Sequence, residues 1–300
     1  MSDKKYKGRI IKGVGGFYYV DTAEYASEGG ENAVFECPAR GRFRKNKQTP
    51  LVGDIVTVIA DNLSKKGVVD EILPRRNVLL RPPVANITQM AVVIAAANPR
   101  PNLYLTDKML AAAQAAGIDA VVCVNKTDIE NADVICEIYK SAGYCTIPMS
   151  ASDGTNVDIL KEKLNGNITV FAGNSGVGKS SILNCVSGAE RFETGEISSK
   201  AERGRHTTRH TELVRLDSGG YIIDTPGFGT IDFSGISPSE CVSLFKEFEN
   251  YTGDCRFSDC RHMTEPDCGI TAAVERGDIA KSRYESYVRM LTEAETAVKR

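Results

Sequence analysis

Tryptophan is absent from this 300-residue chain, and nowhere do eighteen apolar residues stand in succession. The second absence says more, because a membrane-spanning helix needs roughly 20 predominantly apolar residues. No such helix is expected. Met1 leads into a polar, lysine-rich start without the apolar stretch of a signal peptide, so export is not expected and a cytoplasmic protein is. There is no internal repeat and no low-complexity segment, which leaves folded domains of the non-repeating kind. The net charge of -2 is too near balance to name a polyanionic partner. Nine cysteines are an odd number, which excludes complete disulfide pairing. Six of them are scattered singly, as core or surface thiols would be, and three crowd into residues 255–268. In a reducing compartment that crowding points to a metal.

The patterning of what is present divides the chain into three modules. Residues 1–73 alternate short β-prone runs with glycine punctuation, as in "GRIIKGVGGFYYVDT" and "LVGDIVTVIA". This is the pattern of a small all-β barrel of the oligonucleotide-binding type. Such barrels stack bases on aromatics and hold the backbone with cations. Phe17, Tyr18, Tyr19 and Phe43 supply aromatics, one or two of them expected in the core. The run "PARGRFRKNKQTP" holds five basic residues and no acid, and its Arg40, Arg42, Arg44, Lys45 and Lys47 are the candidate RNA contacts. A solvated loop is the competing reading.

Residues 75–89, with Pro82 and Pro83, read as a linker into the second module, residues 74–236. There, unbroken apolar strands ("MAVVIAAA", "DAVVCVNK", "NITVFAG") alternate with helices ("TDKMLAAAQAAG", "NVDILKEKL", "SSILNCVSG"), the mark of a mostly parallel sheet covered on both faces. Thr106 is the candidate N-cap of the first helix and Gly117 its end, and "LVRLDSGGYIID" reads as a hairpin turning at Ser218, Gly219 and Gly220. The third module, residues 237–300, opens at Ser237 and Pro238 as a helix does and closes with a long helix from about Asp278, so it is expected to be mainly helical.

"GNSGVGKS", residues 173–180, fits the phosphate-loop pattern between a strand and a helix. Its Gly173, Gly176 and Gly178 allow backbone N–H groups to face phosphate, with Asn174, Ser175, Val177 and Ser181 completing the cradle. Lys179 would reach the β- and γ-phosphates and act in catalysis, and the Ser180 hydroxyl would hold Mg2+. "YIIDTPG" brings Asp224 toward the same ion and the Gly227 N–H toward the γ-phosphate. Of Thr207 and Thr208 in "RGRHTTRH", Thr208 is favoured as a further Mg2+ ligand on a loop that γ-phosphate would order. "NKTD" supplies base choice: the Asp128 carboxylate can accept two parallel hydrogen bonds along one edge of guanine, while adenine offers no such donor pair. Asn125, Lys126 and Thr127 frame the base, and Ser150 and Ala151 in "MSA" back it.

All five elements of a GTPase are thus present, with the base-reading pair ahead of the phosphate loop. That order is a circular permutation, which requires only that the old termini lie close together. Many GTPases orient the attacking water with a glutamine just after DxxG. Phe228 stands there, so slow intrinsic hydrolysis is expected and His206 is the candidate for the missing polar group, a solvated loop histidine being the alternative.

"CRFSDCRHMTEPDC" places Cys255, Cys260, His262 and Cys268 as three thiolates and one imidazole, a closed tetrahedral set for one structural Zn2+. With this cluster the sequence resembles, over nearly its whole length, the circularly permuted bacterial GTPases of small-subunit ribosome biogenesis, the RsgA (YjeQ or YloQ) family. The barrel, "NKTD", "GNSGVGKS", "GRHTT", "DTPGF" and the Cys/Cys/His/Cys clip stand in the family's order. The resemblance implies a multidomain protein made of an OB-type barrel, a permuted α/β P-loop GTPase domain and a zinc-binding helical domain. It also implies binding to the maturing 30S subunit and 16S rRNA, GTP hydrolysis stimulated by that subunit, and a late assembly role coupled to release of other factors. No membrane partner is expected, nor more than a monomer. Two other readings remain: a P-loop ATPase or kinase with a zinc lid, and a non-catalytic, nucleotide-regulated RNA chaperone.

Overall fold

A computed structural model of the protein describes residues 4–23, 34–41, 43, 48–61, 63–80, 83–188, 192, 211–224 and 237–298. It folds as two compact units: the described residues of Met1–Thr88, Leu164–Val170 and Ala201–Pro226, and those of Gln89–Lys163, Phe171–Lys200 and Gly227–Arg300.

The first unit is built on a five-stranded barrel. Strands β1 (Lys4–Val14), β2 (Phe17–Asp21), β3 (Val34–Pro38), β4 (Ile55–Asp61) and β5 (Lys66–Ile72) run in the order β1-β2-β3-β5-β4, and β4 pairs back onto β1 to close the ring. Closure covers the edge of β1 from Lys4 to Arg9 that an open sheet would present. In β4 the side chains of Val56, Val58 and Ala60 are buried while the residues between them are half-exposed, the period of two that a barrel wall demands. Ile10, Val20, Phe35 and Val69 meet them from the other strands. Phe43 is also buried, at 5% exposure, so it belongs to the core and offers no face to a base. Phe17 remains exposed and Tyr18 and Tyr19 half-buried.

In the stretch expected to be a linker, the described residues 75–80 and 83–89 carry defined structure. Strands β6 (Val78–Leu80) and β7 (Pro83–Ala85) pair antiparallel, and the Asn77 side chain both donates to the Ile87 carbonyl and accepts from its N–H. The Asn86 side chain likewise accepts from the Arg76 N–H and donates to the Gly53 carbonyl. Two side-chain amides thus satisfy backbone groups that flank this short strand pair. A bidentate pair between Arg75 and the fully buried Asp54, at 2.7 and 2.8 Å, locks this segment to the barrel.

In the second unit, β8 (Gln89–Ala95), β9 (Asp119–Asn125) and β10 (Cys145–Pro148) form parallel pairs in the order β10-β9-β8. Every residue of β8 is buried, as expected of a strand covered on both faces. Between these strands run α1 (Leu103–Ala115) and α2 (Asp133–Ser141), and α3 (Val157–Leu164) follows β10. Helix α1 starts earlier than expected: Asn102 is its N-cap, with Oδ1 accepting from the Leu105 N–H at 3.1 Å, and Thr106 lies buried inside the first turn. Both residue types suit a cap, and the extra turn buries Thr106 rather than exposing it. Gly117 closes the helix in a left-handed conformation.

Strand β11 (Ile168–Gly173) leads to α4 (Lys179–Ser187). Its first residues pair with β13 (Tyr221–Asp224), which returns antiparallel from β12 (Glu212–Arg215) through the expected turn, with Gly219 and Gly220 both at positive φ. The C-terminal segment of the second unit is mainly helical: two 3-10 turns (Pro238–Leu244 and Lys246–Phe248), then α5 (Glu249–Thr252), α6 (Gly269–Arg276) and α7 (Lys281–Val298). Phe245, Phe248 and Tyr287 form an aromatic core, which Ala111 of α1 joins. Among the described residues no helix is long and apolar enough to cross a membrane.

Candidate functional site

Three segments distant in sequence meet at the C-terminal end of β9. Asn125, buried as the strand's last residue, donates from Nδ2 to the Val177 carbonyl at 2.8 Å and accepts at Oδ1 from the Ala151 N–H at 3.0 Å. One carboxamide thereby joins the NKTD turn, the phosphate loop and the Ser150–Ala151 loop. Lys126, held at φ +68°, donates from Nζ to the Gly176 carbonyl at 2.8 Å and to the carbonyl of Asn98. The Thr127 N–H bonds the Met149 carbonyl, and Asp128 stands exposed at the rim. Asp128 caps no helix, because the first N–H of α2 is taken by Asn131.

The glycine spacing of the phosphate loop follows from crowding as well as dihedral angle. Gly178 sits at φ +94°, and a Cβ there would collide with Asn125 Nδ2; a Cβ on Gly173 would collide with the Val93 carbonyl. Either substitution would push the loop off the strand ends. Lys179, first residue of α4, folds back so that Nζ donates to the Gly173 and Asn174 carbonyls at 2.7 and 2.6 Å. Burial lowers the pKa of its ammonium. Ser175 and Gly176 are exposed, and Ser180 and Ser181 half-buried, at the start of α4, where unpaired N–H groups favour an anion.

Ser150 is buried, its Oγ accepting from the N–H groups of Ser152 and Asp153, which shapes the loop that presents Ala151. Asp224 ends β13 opposite Glu212 of β12. Arg40 pairs with Asp70 at 3.0 Å. The other expected residues, Arg42, Arg44, Lys45, Lys47, His206, Thr208, Gly227 and Phe228, lie outside the described residues, as does the Asp224 side chain.

The second cluster is a candidate metal centre. The ligand atoms of Cys255, Cys260, His262 and Cys268 lie within 4.8 Å of one another. Cys255 Sγ and Cys268 Sγ are 3.9 Å apart, and His262 Nδ1 is 3.5 and 3.4 Å from them. Bonds of about 2.3 Å to sulfur and about 2.0 Å to nitrogen at tetrahedral angles give edges of about 3.8 and about 3.5 Å. The donor set therefore fits a four-coordinate metal ion.

The surrounding loop is braced for that geometry. The Glu265 carboxylate accepts from the N–H groups of Met263, Arg261 and Thr264, contacts that hold its pKa down at about 2. Tyr284 and Tyr287 of α7 donate to the His262 and Arg261 carbonyls, each at 2.9 Å. The Gly269 N–H points at Cys255 Sγ at 3.3 Å, and a Cβ on Gly269 would collide with the Tyr251 carbonyl. Gly269 and the two tyrosines were not singled out from the sequence, although a glycine directly after the last ligand, Cys268, is a signal of close approach. Asn98 carried no signal at all, because its contribution is a backbone carbonyl.

A family model described as the RsgA N-terminal domain matches residues 7–69, and one described as the RsgA GTPase matches residues 72–234. The small ribosomal subunit biogenesis GTPase RsgA of Clostridium novyi is 47% identical over 291 residues, covering 96% of this chain and 97% of the relative. Its counterpart in Caldanaerobacter subterraneus is 44% identical over 300 residues, covering 99% and 98%. Among solved structures, YloQ, described as a circularly permuted GTPase, superposes with a TM-score of 0.81 at 34% identity, covering 98% of this chain and 96% of that one. YjeQ from Thermotoga maritima gives 0.80 at 34% identity, covering 97% and 99%.

Proposed function

The chain belongs to the RsgA GTPase family, and from that premise we propose that it hydrolyses GTP to GDP and phosphate as a factor in late assembly of the small ribosomal subunit, bound to the maturing 30S particle through 16S rRNA. The observation that carries the nucleotide half is the convergence of residues 125, 151 and 177 on one buried carboxamide.

In this reading the exposed Asp128 carboxylate takes the paired donors of guanine, the Lys126 stem lies along the ring and Ala151 backs it. The N–H groups of residues 173–181 cradle the phosphates, and Lys179 exchanges its two carbonyl partners for the β- and γ-phosphates, whose charge opposes the effect of burial and favours its ammonium. Mg2+ held by Ser180, Thr208 and Asp224 would neutralise charge on the β- and γ-phosphates. The Gly227 N–H meets the γ-phosphate, and His206 orients the water that Phe228 cannot. Turnover is therefore slow until the subunit stimulates it, by bringing His206 to the water or by supplying a polar group of its own.

Cys255, Cys260, His262 and Cys268 hold one structural Zn2+ that shapes the third module. The three modules, 1–73, 74–236 and 237–300, act together in a cytoplasmic monomer. Arg40, Arg42, Arg44, Lys45 and Lys47 hold rRNA phosphates, so binding weakens as salt rises.

The test is GTP turnover of the zinc-replete protein with purified 30S subunits, with 50S subunits, and alone. Stimulation by 30S only is the expected result. Equal rates in all three would overturn the ribosomal reading and leave a guanine-nucleotide enzyme of another RNA.

A further inference from the structure

Within the first unit, the β12–β13 hairpin that ends at Asp224 is cross-linked to the barrel at two places. At the first, Lys12 of β1 is the register partner of Glu212 of β12, and its Nζ donates to Glu212 Oε2 at 2.8 Å. Glu212 is in turn the register partner of Asp224 on β13. Lys12, Glu212 and Asp224 therefore form one row across three strands. At the second, the Tyr221 hydroxyl donates to Asp21 Oδ2 at 3.1 Å, with Tyr221 4% and Asp21 6% exposed. Asp21 Oδ1 already accepts from the Ala23 N–H at 2.9 Å, so the tyrosine satisfies the remaining oxygen of a buried carboxylate. Asp21 is the register partner of Arg9 on β1, and the Arg9 guanidinium lies 5.9 Å from the centroid of the Tyr221 ring.

The second link holds the four-residue strand β13 directly at its first residue, Tyr221, and the first holds it through β12, at Glu212, the register partner of its last residue, Asp224. Strand β1 makes this possible by its length. Its N-terminal half pairs with β4 and closes the barrel, and beyond Arg9 the edge that β4 leaves free receives β12 at Lys12. A phenylalanine at 221 would fill the same volume, so what the hydroxyl adds is a direction and a fixed distance to the barrel.

We propose that Tyr221 and Lys12 are positioning residues, which make the Asp224 strand an extension of the barrel so that RNA held by the barrel sets the rate of hydrolysis at the nucleotide. The inference rests on the reading in which the barrel binds rRNA and Asp224 serves the nucleotide's metal ion. Neither residue touches nucleotide or RNA in this scheme; both act by holding β13.

The experiment compares wild type, Tyr221→Phe, Lys12→Ala and the charge-exchanged pair Lys12→Glu with Glu212→Lys. Fluorescent GTP affinity, co-sedimentation with 30S subunits, and GTP turnover with and without those subunits are read for each. Both single variants are expected to keep GTP affinity, 30S binding and unstimulated turnover within about twofold while losing about tenfold of the stimulated rate, the size of a typical coupling between sites. The charge-exchanged pair rebuilds the ion pair and is expected to recover most of that loss. Full stimulation in both single variants would overturn the inference, as would parallel losses of GTP affinity and unstimulated turnover, which are the mark of general damage. A wild type that 30S subunits do not stimulate overturns the functional reading itself and takes the coupling with it.

Discussion

Asn125 Nδ2 donates to the Val177 carbonyl at 2.8 Å, across 52 residues of sequence. The same nitrogen occupies the space a Cβ on Gly178 would need. The first residue of NKTD and the last glycine of the phosphate loop are thus two halves of one contact. Each residue type is dictated by the other.

Truncating Asn125 leaves the Val177 carbonyl and the Ala151 N–H without their partners, at about 1–3 kcal/mol for each buried group. Asn125→Ala is therefore expected to weaken GTP binding roughly ten- to hundredfold through the loop it no longer holds. Gly178→Ala should do at least as much, because it strains the backbone as well as displacing Asn125. Titration with a fluorescent GTP analogue checks both. Affinities within about twofold of wild type would mean that the loop holds its shape without this contact.

Base choice is a separate property of Asp128, which stands exposed and shapes nothing else nearby. Asp128→Asn exchanges an acceptor for a donor against guanine's own donors. GTP affinity is expected to fall about tenfold or more, with no change in melting temperature. In the wild type, ATP should compete poorly for the site. Equal competition by ATP and GTP would remove the guanine assignment and favour a P-loop ATPase or kinase.

The NKTD turn, the phosphate loop and the Cys/His cluster were legible because each depends on residue types at short spacing. What was not legible depends on distance or on backbone. Asn98 acts through a carbonyl, which any residue carries. Asn102 and Thr106 are both good caps, and only the buried packing of Thr106 decides between them. Residues 75–89 looked like a linker because their prolines hide a hairpin whose order comes from Asn77, Asn86 and Asp54. Phe43 lies in a basic run, and nothing local says that it turns inward.

Metal removal tests the second site. The loop 255–268 has little apolar packing of its own, while its carbonyls at Arg261 and His262 hold the Tyr287 and Tyr284 hydroxyls. Chelation, or Cys268→Ser, is expected to release that loop and change the near-ultraviolet circular dichroism of these tyrosines. Nucleotide affinity should change little. Zinc is expected at one equivalent by elemental analysis, and a protein that retains its tyrosine signal and melting temperature after complete metal loss would refute a structural role for the ion.

Arg283 carries the last prediction. Almost wholly buried, it donates to Asp107 of α1 at 2.7 Å and to both oxygens of Glu247 at 2.7 and 3.1 Å. These partners lie 176 and 36 residues away, so no local pattern announces the triad. Burial alone would lower the guanidinium pKa, but the two carboxylates override it and the cation persists. Burial raises the Asp107 pKa, with Arg283 opposing. Arg283→Met removes that opposition and strands two carboxylates in the core, at a cost of about 3–5 kcal/mol near neutral pH. A carboxyl whose folded pKa is raised contributes stability that is present below its unfolded pKa of about 4 and lost as pH rises. The deficit of Arg283→Met should accordingly shrink as pH falls toward that range, provided metal release is followed separately. Replacing the whole triad with apolar residues of similar volume should cost much less than the single change. Urea titrations from pH 7 downward decide it: a deficit independent of pH would show that the loss is one of packing against Phe245 and Tyr144, over whose rings the guanidinium lies, rather than of charge.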